Sequence, residues 1–96
     1  MYKRNFYKGF TREDVEESMK AEGFKPTLLQ HSAGYRYHLH QHPEEKLLAF
    51  LEGDMKVRTG NETYDCSAGD RLLVDGNIEH EAVVGPEGCT FFWAEK

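Results

Sequence analysis

The stretch HLHQHPEEKLLAFLEG, from His38 to Gly53, holds the residues of this chain that could bind a metal ion. Its histidines stand at alternate positions, 38, 40 and 42, and alternate side chains of a strand point to the same face. Two imidazoles on one face can bind a single divalent ion when another strand supplies a third ligand. His80 is the only histidine that follows this stretch, so it is the candidate for that third ligand.

The same strand has a second interpretation. Its opposite face carries Tyr35, Tyr37, Leu39 and Gln41. Taken alone, this pattern favours a core on the tyrosine face and a histidine face in water. The strand leaves both interpretations open, and the elements around it must decide between them.

The N-terminal segment contains one clear helix signal, TREDVEESMKAEG. Thr11 is a typical N-cap residue, Asp14 follows at the third helical position, and the acids of the first turn favour the positive end of the helix dipole. Gly23 is a typical C-terminal stop. We predict a helix over about residues 12–22, within an N-terminal arm over residues 1–26.

From Thr27 onward, short runs typical of strands alternate with turn residues. The predicted strands lie near residues 27–31, 35–42, 46–52, 55–59, 63–66, 71–75, 80–84 and 89–95. Regular spacing without crossover helices predicts an antiparallel sandwich or barrel, an all-β domain over residues 27–96. At this length the chain forms a single domain with one modest core.

Composition limits the expected partners. The net charge is −5, and acids and bases are interspersed, so no basic stripe favours nucleic acid. No run reaches the ~18 apolar residues of a membrane span, and the start MYKRNFYKGF lacks the apolar core of a signal peptide. We therefore expect a cytoplasmic protein without membrane contact, in which Cys66 and Cys89 are free, buried thiols.

Two spacing patterns resemble the signature motifs of the cupin superfamily. The first is Gly34-x5-His40-x-His42-x3-Lys46-x6-Gly53, where the family has G-x5-H-x-H-x3,4-E-x6-G. The second is Gly69-x5-Asp75-x-Asn77-x2-His80-x3-Val84, where the family has G-x5-P-x-G-x2-H-x3-N. The resemblance covers about residues 34–84 and implies a small double-sheet jelly-roll barrel.

The resemblance also assigns roles to residues. It makes His40, His42 and His80 the ligands of a divalent metal ion inside the barrel, and zinc, iron, nickel and manganese are the candidates. The histidine face of the strand then points into a cavity. The face of Tyr35 and Tyr37 packs outward, against the N-terminal segment or a second subunit.

Lys46 stands where the family has its glutamate ligand. An ammonium group cannot donate a lone pair to a metal ion, which leaves three alternatives. The metal site has three histidines; or Lys46 replaces the metal and binds an anionic molecule; or Lys46 pairs with an acid such as Glu44. His38 and Lys46 are candidate pocket residues, and His31, outside both motifs, receives no role.

The function expected from these features is that of a small cupin acting on a small molecule, for which an anion is one candidate. The first hypothesis is a metal-dependent enzyme of the oxygenase or isomerase class. The alternative is a non-catalytic binding or sensing module in which Lys46 replaces the metal ligand. In both cases we expect a homodimer, formed through exposed strand edges and the N-terminal arm.

Overall fold

Seven strands and one helix make up the chain, which the computed structural model describes over residues 1–96. In chain order they are β1 (Tyr2–Lys3), α1 (Arg12–Ala21), β2 (Thr27–His31), β3 (Arg36–His40), β4 (Lys46–Thr59), β5 (Glu62–Ser67), β6 (Arg71–Val74) and β7 (His80–Glu95). Every strand pair is antiparallel. The predicted all-β antiparallel architecture is confirmed.

The two longest strands, β4 and β7, pair with each other along nearly their whole length, from Lys46 opposite Glu95 to Thr59 opposite His80. The sequence predicted that strands end at residues 52–54 and 85–88. This prediction is wrong, because β4 and β7 are paired on both sides of these residues. The turn residues there produce register shifts, between Phe50 and Glu52 and between Gly53 and Met55. Such bulges bend a strand without ending it.

The bend divides the ladder between two layers of a jelly-roll barrel. The first half of β4 and the second half of β7 pair with β6 and β2, and β1 pairs with β6. The second half of β4 and the first half of β7 pair with β5 and β3. The start of β4 and the start of β7 consequently lie at the same end of the barrel, opposite the bend.

Gly53 lies at the bend, where two backbones come into close contact. Its φ is +73°, and a Cβ atom at this position would lie 2.0 Å from the carbonyl oxygen of Gly88. Gly88 also has a positive φ, of +78°. The corner of the barrel thus requires a residue without a side chain at position 53.

Two apolar clusters hold the layers in place. The inner cluster lies between the layers and includes Phe50, Met55 and Phe91. The outer cluster joins the N-terminal segment to the outer face of the first layer, and its members are Tyr7, Val15, Met19, Phe24, Leu47, Ala49, Phe92 and Ala94. Alternate residues of β4 serve the two clusters, as the strand periodicity requires.

Helix α1 begins with the predicted capping box. The Thr11 hydroxyl accepts a hydrogen bond from the Asp14 N–H, and the Asp14 carboxylate accepts one from the Thr11 N–H. The buried face of the helix consists of Val15 and Met19, which belong to the outer cluster. With ten residues, α1 is too short to cross a membrane, and it is the one helix of the chain.

The predicted packing of the tyrosine face of β3 against the N-terminal segment is wrong, and so is the outward placement of Tyr37; packing of this face against a second subunit stays a prediction. The N-terminal segment covers the first layer instead, while Tyr35 and Leu39 are exposed at 46% and 47%. Tyr37 is half-buried against the inner cluster. The cause is a register shift between Tyr37 and His40, which ends the strict alternation of faces that the sequence suggested.

Replacing Gly53 with alanine tests the close contact at the corner. We expect Gly53→Ala to lower the free energy of unfolding by at least about 3 kcal/mol, because the Cβ atom would overlap backbone atoms. Gly60→Ala is the matched control, since its φ is +59° and no atom lies within 4 Å of the added Cβ. That variant should lose only about 1–2 kcal/mol, and equal losses in urea unfolding would contradict the prediction.

Candidate metal centre

A cavity of about 320 Å³ lies between the two layers. Nine of its thirteen lining residues are hydrophobic, so the few polar groups that face it determine what it can bind. These polar groups come from the four other lining residues, His31, His40, Lys46 and His80, and from the hydroxyl of Tyr37, which is one of the nine. The cavity is therefore an apolar space with a small set of polar contacts.

Three histidines come together at the end of the barrel opposite the bend. His40 ends β3 and lies directly opposite His80, the first residue of β7. The ring centroids of His40 and His80 are 4.2 Å apart, and those of His40 and His42 are 4.7 Å apart. One ring nitrogen from each histidine lies within 4.8 Å of the other two, an arrangement that could hold a metal ion.

His80 presents an unpartnered nitrogen to this group. Its Nδ1–H donates to the Ile78 carbonyl at 2.9 Å, which leaves the lone pair on Nε2. Nε2 is buried and has no hydrogen-bond partner, and it is the only such buried side-chain nitrogen or oxygen in the chain. Leaving a buried polar atom unpaired costs about 1–3 kcal/mol, and a metal ion would remove that cost.

His40 is held in the same way. Its Nδ1–H donates to the carbonyl of His38, so the free lone pair is again on Nε2. Fixing the tautomer through the other ring nitrogen is the usual arrangement of metal-binding histidines. Burial lowers the pKa of His80 and the bond to Ile78 opposes this shift, so the ring is neutral at neutral pH, as metal binding requires.

His42 is positioned by two loops that pack on each other. Its carbonyl accepts a hydrogen bond of 2.6 Å from the N–H of Asn77. A Cβ atom on Gly76 would lie 2.2 Å from the Pro43 carbonyl oxygen, so the two loops are in close contact. The turn that precedes β7 thus fixes His42 beside the histidines of the two strands.

Lys46 lies at the edge of the histidine group. Its Nζ is 3.3 Å from His42 Nε2 and 5.2 Å from the centroid of the Trp93 ring. Burial lowers the pKa of the Lys46 ammonium, and Glu95 and Glu44, at longer range, partly oppose this. Neither of these acids forms an ion pair with Lys46. The ammonium group is thus without a countercharge in direct contact.

The remaining histidines differ from the expectation. His38 is exposed and does not line the cavity, so only its carbonyl contacts the site. His31, which received no role, does line the cavity, and its Nε2 is 2.5 Å from the hydroxyl of Tyr37. The sequence offers one signal for His31: its alternation with Leu29, which also lines the cavity.

The jelly-roll barrel and the histidines inside it define the class of protein as the cupin superfamily. Within that class, the AraC-like ligand binding domain family matches residues 27–95, which is more than half of the chain. The chain therefore belongs to the family of AraC-like ligand binding domains. Comparison with curated protein sequences finds no match.

Solved structures share the fold at low sequence identity. An RmlC-like cupin from Shewanella frigidimarina has a TM-score of 0.69 and 21% identity, over 75% of this chain and 64% of that one. A conserved protein of Streptococcus pyogenes has a TM-score of 0.67 and 19% identity, over 75% and 62%. A variant of oxalate decarboxylase from Bacillus subtilis has a TM-score of 0.68 and 20% identity, over 74% and 20%. This chain thus spans less than two thirds of each, and the likeness establishes the fold alone.

Lys46→Met tests whether the lysine makes the folded chain less stable than an apolar side chain would. The methionine keeps an apolar stem on Trp93 but removes a half-buried charge that has no paired acid. We expect the free energy of unfolding of chelator-treated protein to rise by about 1 kcal/mol. The control is Lys25→Met, at an exposed position. A loss of stability in Lys46→Met alone would show that the ammonium group stabilises the fold.

Proposed function

We propose that this chain is a ligand-binding cupin domain in which His40, His42 and His80 hold a divalent metal ion and a small molecule occupies the cavity. The observation that carries the proposal is the unpartnered Nε2 of His80, buried and beside two further imidazoles. Membership of a ligand-binding family supports the small molecule.

The donor set narrows the metal. Neutral imidazoles suit zinc, iron(II) and nickel, whereas manganese prefers oxygen ligands and is the weakest of the four candidates. Three protein ligands leave coordination positions for an oxygen or sulfur atom of the bound molecule, and an ion bound there would act as a Lewis acid. In its finer form, the proposal is a metal-dependent enzyme of the oxygenase or isomerase class.

In this proposal, the positive charge of Lys46 indicates that the bound molecule is negatively charged. An ammonium group beside the metal ligands weakens the binding of a cation, and a carboxylate on the ligand would compensate both positive charges. We therefore propose an anionic ligand whose carboxylate contacts Lys46, with its apolar part between Trp93 and Phe91.

Two further proposals concern organisation. Residues 27–96 form the barrel domain and residues 1–26 an arm, a division supported by the start of the family match at residue 27. Homodimer formation is supported by β2, an edge strand that pairs only with β7 and exposes Leu28 at 43%.

Titration calorimetry with zinc, nickel and manganese tests the metal site. Chelator-treated protein is expected to bind one ion per chain, and His80→Ala to weaken the affinity at least about 100-fold, because a ligand is lost. His38→Ala is the matched control, since it removes an exposed histidine of the same strand. Equal weakening by both variants, or no binding by the wild type, would overturn the proposal.

A second candidate function is anion binding without a metal, favoured by the position of the Lys46 ammonium beside His42 Nε2. In that case benzoate and other small carboxylates should raise the melting temperature of metal-free protein by a few degrees. Lys46→Met should abolish the shift, whereas Lys25→Met should keep it. A shift that survives in Lys46→Met would rule this candidate out.

A further inference from the structure

The cavity has a second group of polar atoms that the metal and Lys46 do not use. Tyr37 precedes His40 by three residues on β3, which places it on the order of 10 Å along the strand from the histidine site. His31 lies farther still, because it pairs with Cys89, next to the bend, while Trp93 beside Lys46 pairs with Thr27. His31 and Tyr37 therefore lie towards the end of the cavity that is nearer the bend.

The two residues form a fixed hydrogen-bonded pair. The Tyr37 hydroxyl lies 2.5 Å from His31 Nε2. The imidazole ring of His31 is stacked on Tyr35, with centroids 3.9 Å apart and planes 3° from parallel. When the tyrosine hydroxyl donates to the histidine, the lone pairs of its oxygen stay free to accept a hydrogen bond.

This pair carries no charge at neutral pH. No acid forms an ion pair with His31, and burial lowers the pKa of its ring. Burial also raises the pKa of Tyr37. A second carboxylate on the ligand would have no counterion at this pair. A neutral hydroxyl group on the ligand could donate a hydrogen bond to the Tyr37 oxygen.

We infer that the His31–Tyr37 pair selects ligands that carry a neutral hydroxyl group at the end opposite their carboxylate. This inference rests on the proposed function, because it takes the carboxylate to lie at Lys46 and the three histidines. Between the two ends the wall is apolar and includes Phe91, Met55 and Val57. A ligand with an aromatic or aliphatic middle and a terminal hydroxyl matches all three parts of the cavity.

Paired acids test the inference by calorimetry on the full chain. The probes are benzoate, phenylacetate and phenylpropionate, each with its para-hydroxy form, so that three separations between carboxylate and hydroxyl are sampled. The wild type is expected to bind at least one hydroxylated acid about five- to tenfold more tightly than its parent. Tyr37→Phe should reduce the affinity ratio of each hydroxylated acid to its parent to about one, because the ratio reports the hydroxyl contact whatever the affinity of the parent acid.

Tyr35→Phe is the matched control, because the hydroxyl of that neighbouring, exposed tyrosine makes no hydrogen bond to His31. It should keep the preference. Equal affinities within every pair for the wild type, or a preference that persists in Tyr37→Phe, would overturn the inference. In either case, binding of the parent acids that depends on Lys46 would still support the proposed function. Failure of the wild type to bind any of the acids would overturn both the inference and the carboxylate ligand of the proposed function, while the metal site keeps its separate test by calorimetry with metal ions.

Discussion

The antiparallel pairing of β4 with β7 is the constraint on which the site depends. Because both strands bend at the same corner, their pairing supplies the centre of both layers, and it returns the start of β7 to the start of β4. His80 and Lys46 are thereby brought to one end of the cavity from positions far apart in the chain. The bend itself depends on the contact between Gly53 and the Gly88 carbonyl, so a backbone requirement at the corner fixes side chains at the opposite end.

The cavity contains polar side chains at positions where apolar side chains would make the folded chain more stable. The His80 nitrogen has no hydrogen-bond partner, and the Lys46 ammonium has no acid paired with it. Each lowers the free energy of unfolding of the isolated chain. Elsewhere buried polar groups are satisfied. Asp70, for example, accepts hydrogen bonds from Tyr2, Asn5 and Ser67. The contrast between Asp70 and the cavity residues is typical of a site whose partner is a ligand and not another part of the protein.

Much of this arrangement could be predicted from the sequence. The capping residues of α1, the antiparallel strands and the cupin motifs all rest on local spacing, which the fold preserves. The faces of β3 could not be predicted, because a bulge between Tyr37 and His40 depends on pairing with β7 and leaves no signal in the strand itself. The role of His31 was missed for a related reason: it faces Tyr37 only once β2 and β3 both lie along β7.

The long ladder also has a consequence for the order in which the protein folds. The pair Thr59–His80 closes a much shorter loop of chain than the pair Lys46–Glu95, and closing a shorter loop costs less entropy. Pairing that starts near Thr59 and His80 and proceeds past the corner places Lys46 and Trp93 last. His80 is then in position while the chain is still partly unfolded, and the cavity becomes competent to bind only when the last pairs of the ladder have formed.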